Sequence, residues 1–322
     1  MRYRTLGRTG LSISEIGYGA WGIGKNQWLG GEDDESLRAL RRAIELGLNF
    51  IDTALAYGEG HSEKLTGQVV RSCGAPVHVA TKVPPKNRLW PARPRIPIDE
   101  VFPYEYVMRS TETSLRNLGL ETIDLQQFHV WNPGWLASDD WSRAIEDLKR
   151  SGKARFVGVS INDHQPDSAL GVIRTGLIDT VQVIYNVFDQ SPEINLFPEC
   201  LKQNIGVLAR VPLDEGALAG NIGENTRFPS GDFREFYFSG DRKRQVAQHI
   251  ALLKRDLGES SQPLAAAALR FCLSHAAVTT VIPGMRTVRN VEANCAVSDQ
   301  GPLDAPTLAV MRKHAWTKNF YQ

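Results

Sequence analysis

Short runs of β-branched and aliphatic residues alternate along the chain with longer stretches in which apolar residues recur every three or four positions. The short runs are typical of buried β-strands, and the longer stretches are typical of amphipathic helices. Strands and helices that alternate in this way indicate βα units with a parallel sheet. Eight strands are predicted, at residues 16–18, 49–52, 77–82, 123–127, 155–160, 180–184, 205–209 and 278–282.

The clearest of the predicted helices covers residues 34–46. Leu37, Leu40 and Ile44 recur there at helical spacing, and Gly47 ends the helix. The same pattern predicts helices at residues 106–118, 140–149 and 241–257.

Eight βα units without a Gly/Ser-rich linker predict an α/β protein, a closed (β/α)8 TIM barrel, with residues 1–322 forming a single domain. Two separate domains are the minor alternative for this length. Before the first strand, residues 3–13 read as two short strands around a Gly-Arg-Thr-Gly turn, a β-hairpin expected to close the bottom of the barrel. Long loops are expected at the C-terminal face, at residues 84–103 and over about thirty residues after Pro212.

Composition and charge narrow the class of protein. With 37 basic and 36 acidic residues the net charge is +1, which provides no electrostatic attraction for nucleic acid. No stretch approaches the roughly 20 apolar residues of a membrane span, and no secretory signal is recognisable. The four cysteines are isolated and no metal-ligand spacing is present, so we expect no metal site and a reducing, cytoplasmic location.

Four reactive side chains follow the predicted strands at the face where barrels place their active sites. Asp52 ends the second strand, Tyr57 follows it, Lys82 ends the third strand and His129 follows the fourth. An ammonium group next to a phenol stabilises the phenolate and lowers the pKa of the phenol, which favours a proton donor. This set suits addition to a carbonyl, with the hydride supplied by a cofactor. An alternative from another class of enzyme is an aldolase, in which Lys82 forms a Schiff base with the substrate.

Several segments resemble the aldo-keto reductase superfamily in their order and spacing, over nearly the whole chain. The resemblance implies a (β/α)8 barrel that binds NADPH in extended form and reduces aldehydes or ketones to alcohols. The segments are Asp52-Thr53-Ala54-Leu55-Ala56-Tyr57-Gly58, Ser62-Glu63 with Gly67, Ala80-Thr81-Lys82, Asp124-Leu125-Gln126-Gln127-Phe128-His129, Gly152-Lys153-Ala154-Arg155 and Gly158-Val159-Ser160.

The resemblance also implies roles for single residues. Tyr57 would be the general acid, Lys82 and Asp52 would lower its pKa, and His129 would orient the carbonyl. The expected cofactor contacts are Ser160, Asn162 and Gln182 at the nicotinamide carboxamide, Pro212, Leu213, Gly216 and Leu218 over the pyrophosphate, and Gly284, Arg286 and Asn294 at the adenosine phosphate.

A glycine motif at residues 17–22 fits the G-x-G-x-x-G pattern of a dinucleotide fold, but the residues that follow it are a poor start for a helix. We interpret it as a loop after the first strand, in which Gly19 lets the backbone approach the ligand and Trp21 lines the pocket.

Two positions depart from the pattern of the superfamily. Members often stack an aromatic ring on the nicotinamide where this chain has Arg210, which is a cation next to a ring that itself becomes cationic. Many members have Lys-Ser where this chain has Gly284-Met285, which leaves Arg286, and with it Arg289, to pair with a 2′-phosphate. NADP(H) is therefore favoured over NAD(H).

The substrate side is rich in tryptophan. Trp21, Trp28, Trp90 and Trp131 are expected to form a flat, apolar wall for an aromatic or sugar-like carbonyl or alcohol substrate. The alternative is that these rings only pack the loops against the barrel. A further alternative for the whole protein is a cofactor-binding subunit that reports redox state to a partner protein. The sequence gives no indication of the oligomeric state.

Overall fold

The strands were located in a computed structural model, which describes residues 1–258, 263–316 and 318–321. Two strands form an antiparallel hairpin, β1 (Tyr3–Thr5) and β2 (Ser12–Ser14). Eight further strands form one parallel sheet: β3 (Tyr18–Gly19), β4 (Phe50–Asp52), β5 (His78–Val83), β6 (Ile123–Phe128), β7 (Ala154–Ser160), β8 (Thr180–Ile184), β9 (Gly206–Arg210) and β10 (Val278–Val281).

The sheet closes into the predicted barrel. Each of β3 to β9 pairs with the next strand in chain order. Parallel bridges then join Ile16 to Val281 and Gly19 to Gly284, so that the segment around β3 meets the segment around β10. A Cβ at Gly19 would lie 2.5 Å from the carbonyl oxygen of Ile282, so this closure requires glycine.

Helices cover the outside of the sheet, and the predicted ones are confirmed within one or two residues at each end. Helix α1 begins with three acidic residues, which favour a helix N-terminus, and it ends just before Gly47, whose φ is +88°. The helices are α1 (Asp33–Glu45), α2 (His61–Ser72), α3 (Ile98–Val101), α4 (Tyr104–Leu118), α5 (Asp140–Arg150), α6 (Leu170–Arg174), α7 (Leu196–Gln203), α8 (Phe233–Tyr237), α9 (Arg242–Leu257), α10 (Leu264–Leu273), α11 (Val288–Cys295), α12 (Val297–Gln300) and α13 (Ala305–Arg312). Among the described residues no helix has the length and apolar character needed to span a membrane.

The N-terminal hairpin closes the bottom of the barrel, as predicted. Leu6, Leu11 and Ile13 are buried against side chains that point into the barrel, such as Phe50 and Leu208. The backbone N–H of Arg8 donates to the carbonyl of Asn204, just before β9 begins.

The alternation of side chains along the strands places the polar residues above this apolar layer. Phe50, Ala80, Leu125 and Leu208 lie in the bottom layer of the interior. Because side chains on a strand point to the same face every second residue, the residues two positions later also point inward. These residues are Asp52, Lys82, Gln127 and Arg210.

Both long loops are present at the C-terminal face, and both contain more structure than predicted: the first includes helix α3. The segment after Pro212 was expected to run about thirty residues before a helix, but it contains a 3-10 turn at Asp214–Ala219 and helix α8. Helix α8 forms because the side chain of Asp232 accepts a hydrogen bond from the backbone N–H of Arg234, while Tyr237 is buried.

Candidate active site

Lys82 lies at the centre of the site and its ammonium group has three acceptors. Nζ donates to Oδ2 of Asp52 at 2.6 Å, to the carbonyl oxygen of Thr53 at 2.8 Å and to the hydroxyl oxygen of Tyr57 at 3.2 Å. The side chain is fully buried. Burial acts to lower the pKa of Lys82, but the charge of Asp52 and the contact with Tyr57 outweigh it, so the pKa is raised and the amine stays protonated.

Tyr57 is a neutral phenol held against this cation. Burial raises the pKa of Tyr57 above its ordinary value, and Lys82 opposes that shift without cancelling it. Lys82 lowers the pKa as expected, but the charge of Asp52 raises it, contrary to the expectation, and burial is the largest effect, so the net pKa is raised. Lys82 donates to the phenolic oxygen, and among the described residues no acceptor takes the phenolic proton. Tyr57 is thus arranged to donate that proton.

His129 faces Tyr57 from the segment after β6. Its ring centroid lies 5.7 Å from that of Tyr57 and 5.7 Å from that of Trp90, edge to face in both cases. Burial, together with the charges of Lys82 and Arg210, holds the pKa of His129 well below its ordinary value, so the imidazole is neutral. Its Nδ1 is buried and has no hydrogen-bond partner among the described residues.

Two glutamines hold the other oxygen of Asp52. Nε2 of Gln182 donates to Oδ1 at 2.8 Å, and Nε2 of Gln127 lies 3.3 Å from the same atom. Gln182 was expected at the carboxamide, and here its amide nitrogen binds Asp52. Gln127 was not predicted, although its position two residues after the inward-facing Leu125 would have indicated it.

The residues expected at the carboxamide differ in their contacts. Ser160 ends β7 and pairs in register with Gln182. Asn162 instead binds the Pro-rich loop: its Oδ1 accepts from the backbone N–H of Ala92 at 3.0 Å, and its Nδ2 donates to the carbonyl of Ala92 at 3.1 Å. The same Nδ2 donates to Oε1 of Gln165 at 3.1 Å.

Arg210 points into the site from the end of β9 and is paired with an acid that the sequence did not suggest. Its Nη2 lies 2.5 Å from Oδ1 of Asp163 and donates to the carbonyl of Ile161 at 3.0 Å. Burial acts to lower the pKa of Arg210, but the charge of Asp163 outweighs it and the pKa is raised. Nε of Arg210 is buried and has no partner among the described residues.

The segment from Pro212 to Gly220 is a tight turn that carries two buried carboxyl groups. Gly216 has a φ of +99°, which only glycine adopts readily, and Leu218 is fully buried in the core, while Leu213 is half-buried. Tyr321 donates to Glu215, and Tyr237 donates to Asp214 at 2.9 Å. Burial raises the pKa of Glu215 to about 7 and that of Asp214 to about 6, although both hydrogen bonds oppose the shift.

The residues expected at the adenosine phosphate follow β10. A Cβ at Gly284 would meet nothing within 4 Å, so this position opens to free space. Nη1 of Arg286 donates to the carbonyl of Leu29 at 2.7 Å, which brings its guanidinium to the loop after β3. Asn294 is buried on α11.

Aromatic side chains form one wall of the mouth. The ring of Trp21 lies 5.7 Å from Trp28, 6.3 Å from Tyr57 and 5.0 Å from Phe233, which α8 contributes and which the sequence did not indicate. Trp90 is 46% exposed and stands over His129.

Trp131 is not at the mouth, where it was expected. It is fully buried and packs edge to face against Trp135 and Trp141. The reason is that the segment after His129 turns its large apolar side chains into the layer between sheet and helices, where burial is favourable.

Comparisons with known proteins match both the sequence and the fold of this chain. The model of the Aldo/keto reductase family matches residues 15–315. Aldo-keto reductase YhdN from Bacillus subtilis (strain 168) is 31% identical over 240 residues, which cover 73% of this chain and 69% of the relative. NADH-specific methylglyoxal reductase from Escherichia coli (strain K12) is 27% identical over 338 residues, 98% of each chain. The solved structure of aldo-keto reductase AKR11C1 from Bacillus halodurans (holo form) has a TM-score of 0.76 and 26% identity, covering 98% of this chain and 96% of that one.

The fold and the comparisons together define the class of protein as an NAD(P)H-dependent oxidoreductase that interconverts carbonyl and alcohol groups. The chain belongs to the aldo/keto reductase family.

Proposed function

We propose that this chain, as a single barrel domain, reduces an aldehyde or ketone to the alcohol with NADPH, or catalyses the reverse oxidation. The observation that carries the proposal is the placement of Lys82, with Nζ 2.6 Å from Asp52 and 3.2 Å from the hydroxyl of Tyr57. These contacts leave the phenolic proton free at a site that His129 faces.

The proton that completes the reduction comes from Tyr57. The phenolic hydrogen passes to the carbonyl oxygen of the substrate, and the phenolate that remains is stabilised by the ammonium of Lys82. Asp52 keeps Lys82 charged, and the two glutamines fix the carboxylate. His129, being neutral, donates a hydrogen bond to the carbonyl oxygen without competing for the proton. The nicotinamide cofactor, when bound, supplies the hydride.

The residues of this chain fit such a cofactor. Nε of Arg210 and Nδ1 of His129 are buried polar atoms without a partner among the described residues, and polar atoms in such places usually bind a ligand or water. Residues proposed to hold the cofactor are Gly19, Trp21, Ser160, Gln182, Arg210, Pro212, Leu213, Gly216, Leu218, Gly284, Arg286 and Asn294.

We favour NADPH over NADH because Arg286 is half-buried next to the open position at Gly284. A guanidinium binds a 2′-phosphate through two parallel hydrogen bonds. Because one similar protein is an NADH-specific methylglyoxal reductase, the titration compares both cofactors.

For the substrate we propose an aromatic or sugar-like carbonyl compound, which would lie on the wall formed by Trp21, Trp28, Trp90 and Phe233. A cytoplasmic location accords with four free cysteines, three of them buried. The near-neutral charge supports a small-molecule partner rather than nucleic acid.

A titration tests the proposal. Quenching of protein fluorescence by NADPH and by NADH gives the two dissociation constants, and the same sample is then assayed with a panel of aldehydes, ketones and sugars. We expect tighter binding of NADPH and turnover of at least one aromatic or sugar carbonyl. A protein that binds neither NADPH nor NADH would contradict the proposed function. Slow turnover of every carbonyl, together with a stable protein partner, would favour the redox-reporting subunit.

The aldolase alternative has a separate test. A Schiff-base lysine must be a neutral amine, whereas Lys82 is fully buried in contact with Asp52 and its pKa is raised. We therefore expect no borohydride trapping of a carbonyl substrate on Lys82 and no turnover without cofactor.

A further inference from the structure

We propose that Asn162 is a positioning residue of the substrate side: it holds the segment that places Trp90 over His129, and it does not bind the nicotinamide carboxamide. This inference rests on the proposed function, which distinguishes a substrate side from a cofactor side of the site. The hydrogen bonds that Asn162 makes carry it.

The hydrogen-bonding capacity of Asn162 is almost completely used. Its Nδ2 has two hydrogens, and these go to the carbonyl of Ala92 at 3.1 Å and to Oε1 of Gln165 at 3.1 Å. Its Oδ1 accepts from the N–H of Ala92 at 3.0 Å. A carboxamide oxygen therefore finds no free donor on this side chain, and binding it would break one of these bonds.

The pair of bonds to Ala92 fixes a segment that is otherwise weakly attached. In the described part of the chain, residues 89–95 form no other hydrogen bond to the barrel. The next attachment along the loop is at Ile96, whose carbonyl accepts from Nε1 of Trp135 at 2.8 Å. Ala92 itself is buried, so its N–H and C=O would remain unpaired without Asn162.

The segment that Asn162 holds contacts the site through Trp90. Trp90 precedes Ala92 by two residues, and its ring lies edge to face with His129, with centroids 5.7 Å apart. Trp90 is 46% exposed, and its ring pairs with that of His129. Movement of Ala92 would displace Trp90, which lies where a carbonyl compound meets His129.

The test measures the substrate side and the cofactor side of the site separately. Asn162→Ala is compared with Trp90→Ala and with the control Ser160→Ala, which alters the neighbouring position that is proposed to contact the cofactor. Hydrogen exchange of the peptide that covers residues 89–95 reports on the anchor in the protein alone. The dissociation constant of NADPH and the KM for a carbonyl substrate report on the two sides of the site.

For Asn162→Ala we expect loss of exchange protection in residues 89–95. We also expect KM to rise about tenfold, a size consistent with the loss of the two hydrogen bonds to Ala92. The NADPH dissociation constant should stay within about twofold of wild type. Trp90→Ala, at an exposed position that tolerates truncation, is expected to raise KM in the same way. Ser160→Ala is expected to weaken NADPH and to leave the exchange unchanged.

Weaker NADPH binding by Asn162→Ala, with unchanged exchange and KM, would overturn the inference. A wild-type protein that binds no cofactor would contradict the proposed function instead, and the exchange measurement would still decide whether Asn162 anchors the loop.

Discussion

Nζ of Lys82 lies 2.6 Å from Oδ2 of Asp52, and both side chains are buried beneath the mouth of the barrel. A buried ion pair of this kind depends on both partners, because removal of one leaves an uncompensated charge in a medium of low polarity. The pair therefore links the stability of the fold to the chemistry of the site.

Removing the carboxylate is expected to destabilise the fold. Asp52→Asn should reduce the free energy of unfolding by about 3–5 kcal/mol, since the ammonium of Lys82 would remain buried without a counter-ion. The double variant Asp52→Asn/Lys82→Met should recover much of this loss. Denaturation in urea measures all three proteins, and an Asp52→Asn variant as stable as wild type would contradict the account.

The charge of Arg210 is expected to act on the oxidation state of the bound cofactor. Oxidised nicotinamide is cationic and reduced nicotinamide is neutral, so a nearby guanidinium disfavours the oxidised form. Arg210→Met should strengthen NADP⁺ binding relative to NADPH by about threefold, a modest effect because Asp163 already compensates the charge.

A matched variant gives the opposite sign. Asp163→Asn leaves Arg210 uncompensated, and it should weaken NADP⁺ relative to NADPH. The two ratios are obtained by fluorescence titration with each form of the cofactor. Variants that move the ratio in the same direction would show that charge is not the cause.

Arg286 is expected to decide between the two nicotinamide cofactors. Arg286→Met should weaken NADPH by about 1.5–3 kcal/mol, the usual size for a hydrogen bond to a charged group, and leave NADH nearly unchanged. Arg289→Met, on α11, measures the share of the second arginine expected at the 2′-phosphate. Equal losses for both cofactors with Arg286→Met would place the 2′-phosphate elsewhere.

The buried carboxyl of Glu215 predicts a pH dependence of stability. Its pKa in the folded protein is raised by burial to about 7, above its ordinary value of 4.5. Between these two values the folded protein holds more protons than the unfolded chain, so the contribution of this group to stability falls as pH rises, by up to about 1.4 kcal/mol per pH unit.

Glu215→Gln should therefore reduce the loss of stability between about pH 4.5 and pH 7. Glu224→Gln, at an exposed position in the same segment, serves as the control. Urea denaturation at several pH values measures the difference, and identical pH profiles for wild type and Glu215→Gln would refute this prediction.

Much of the fold was predictable from the sequence because burial repeats at regular intervals. β8 was predicted at its observed bounds because it is an uninterrupted run of buried residues, and α1 was displaced by only one residue because its apolar residues recur at helical spacing. The same regularity brings Asp52, Lys82 and His129 to one face of the barrel, and the structure places these three residues with Tyr57.

Contacts made by long loops were not predictable, because nothing local in the sequence indicates which barrel residue a loop will meet. Asp163 pairs with Arg210 across 47 positions, and Asn162 reaches back to Ala92 across 70. Trp131 was mispredicted for a different reason. It lies two residues after the site residue His129, but the backbone turns its side chain into the core. The net pKa of Tyr57 likewise depends on burial, which composition does not give.

In the proposed reaction Tyr57 donates the proton, while other residues bind the cofactor. Tyr57→Phe removes only the hydroxyl, and the ring contacts with Trp21 and His129 are retained. The most direct measurement is single-turnover oxidation of bound NADPH by a carbonyl substrate, together with the NADPH dissociation constant of the same variant. We expect a rate reduced by about 10²–10⁴-fold and an unchanged dissociation constant. A wild-type rate in Tyr57→Phe would contradict the account.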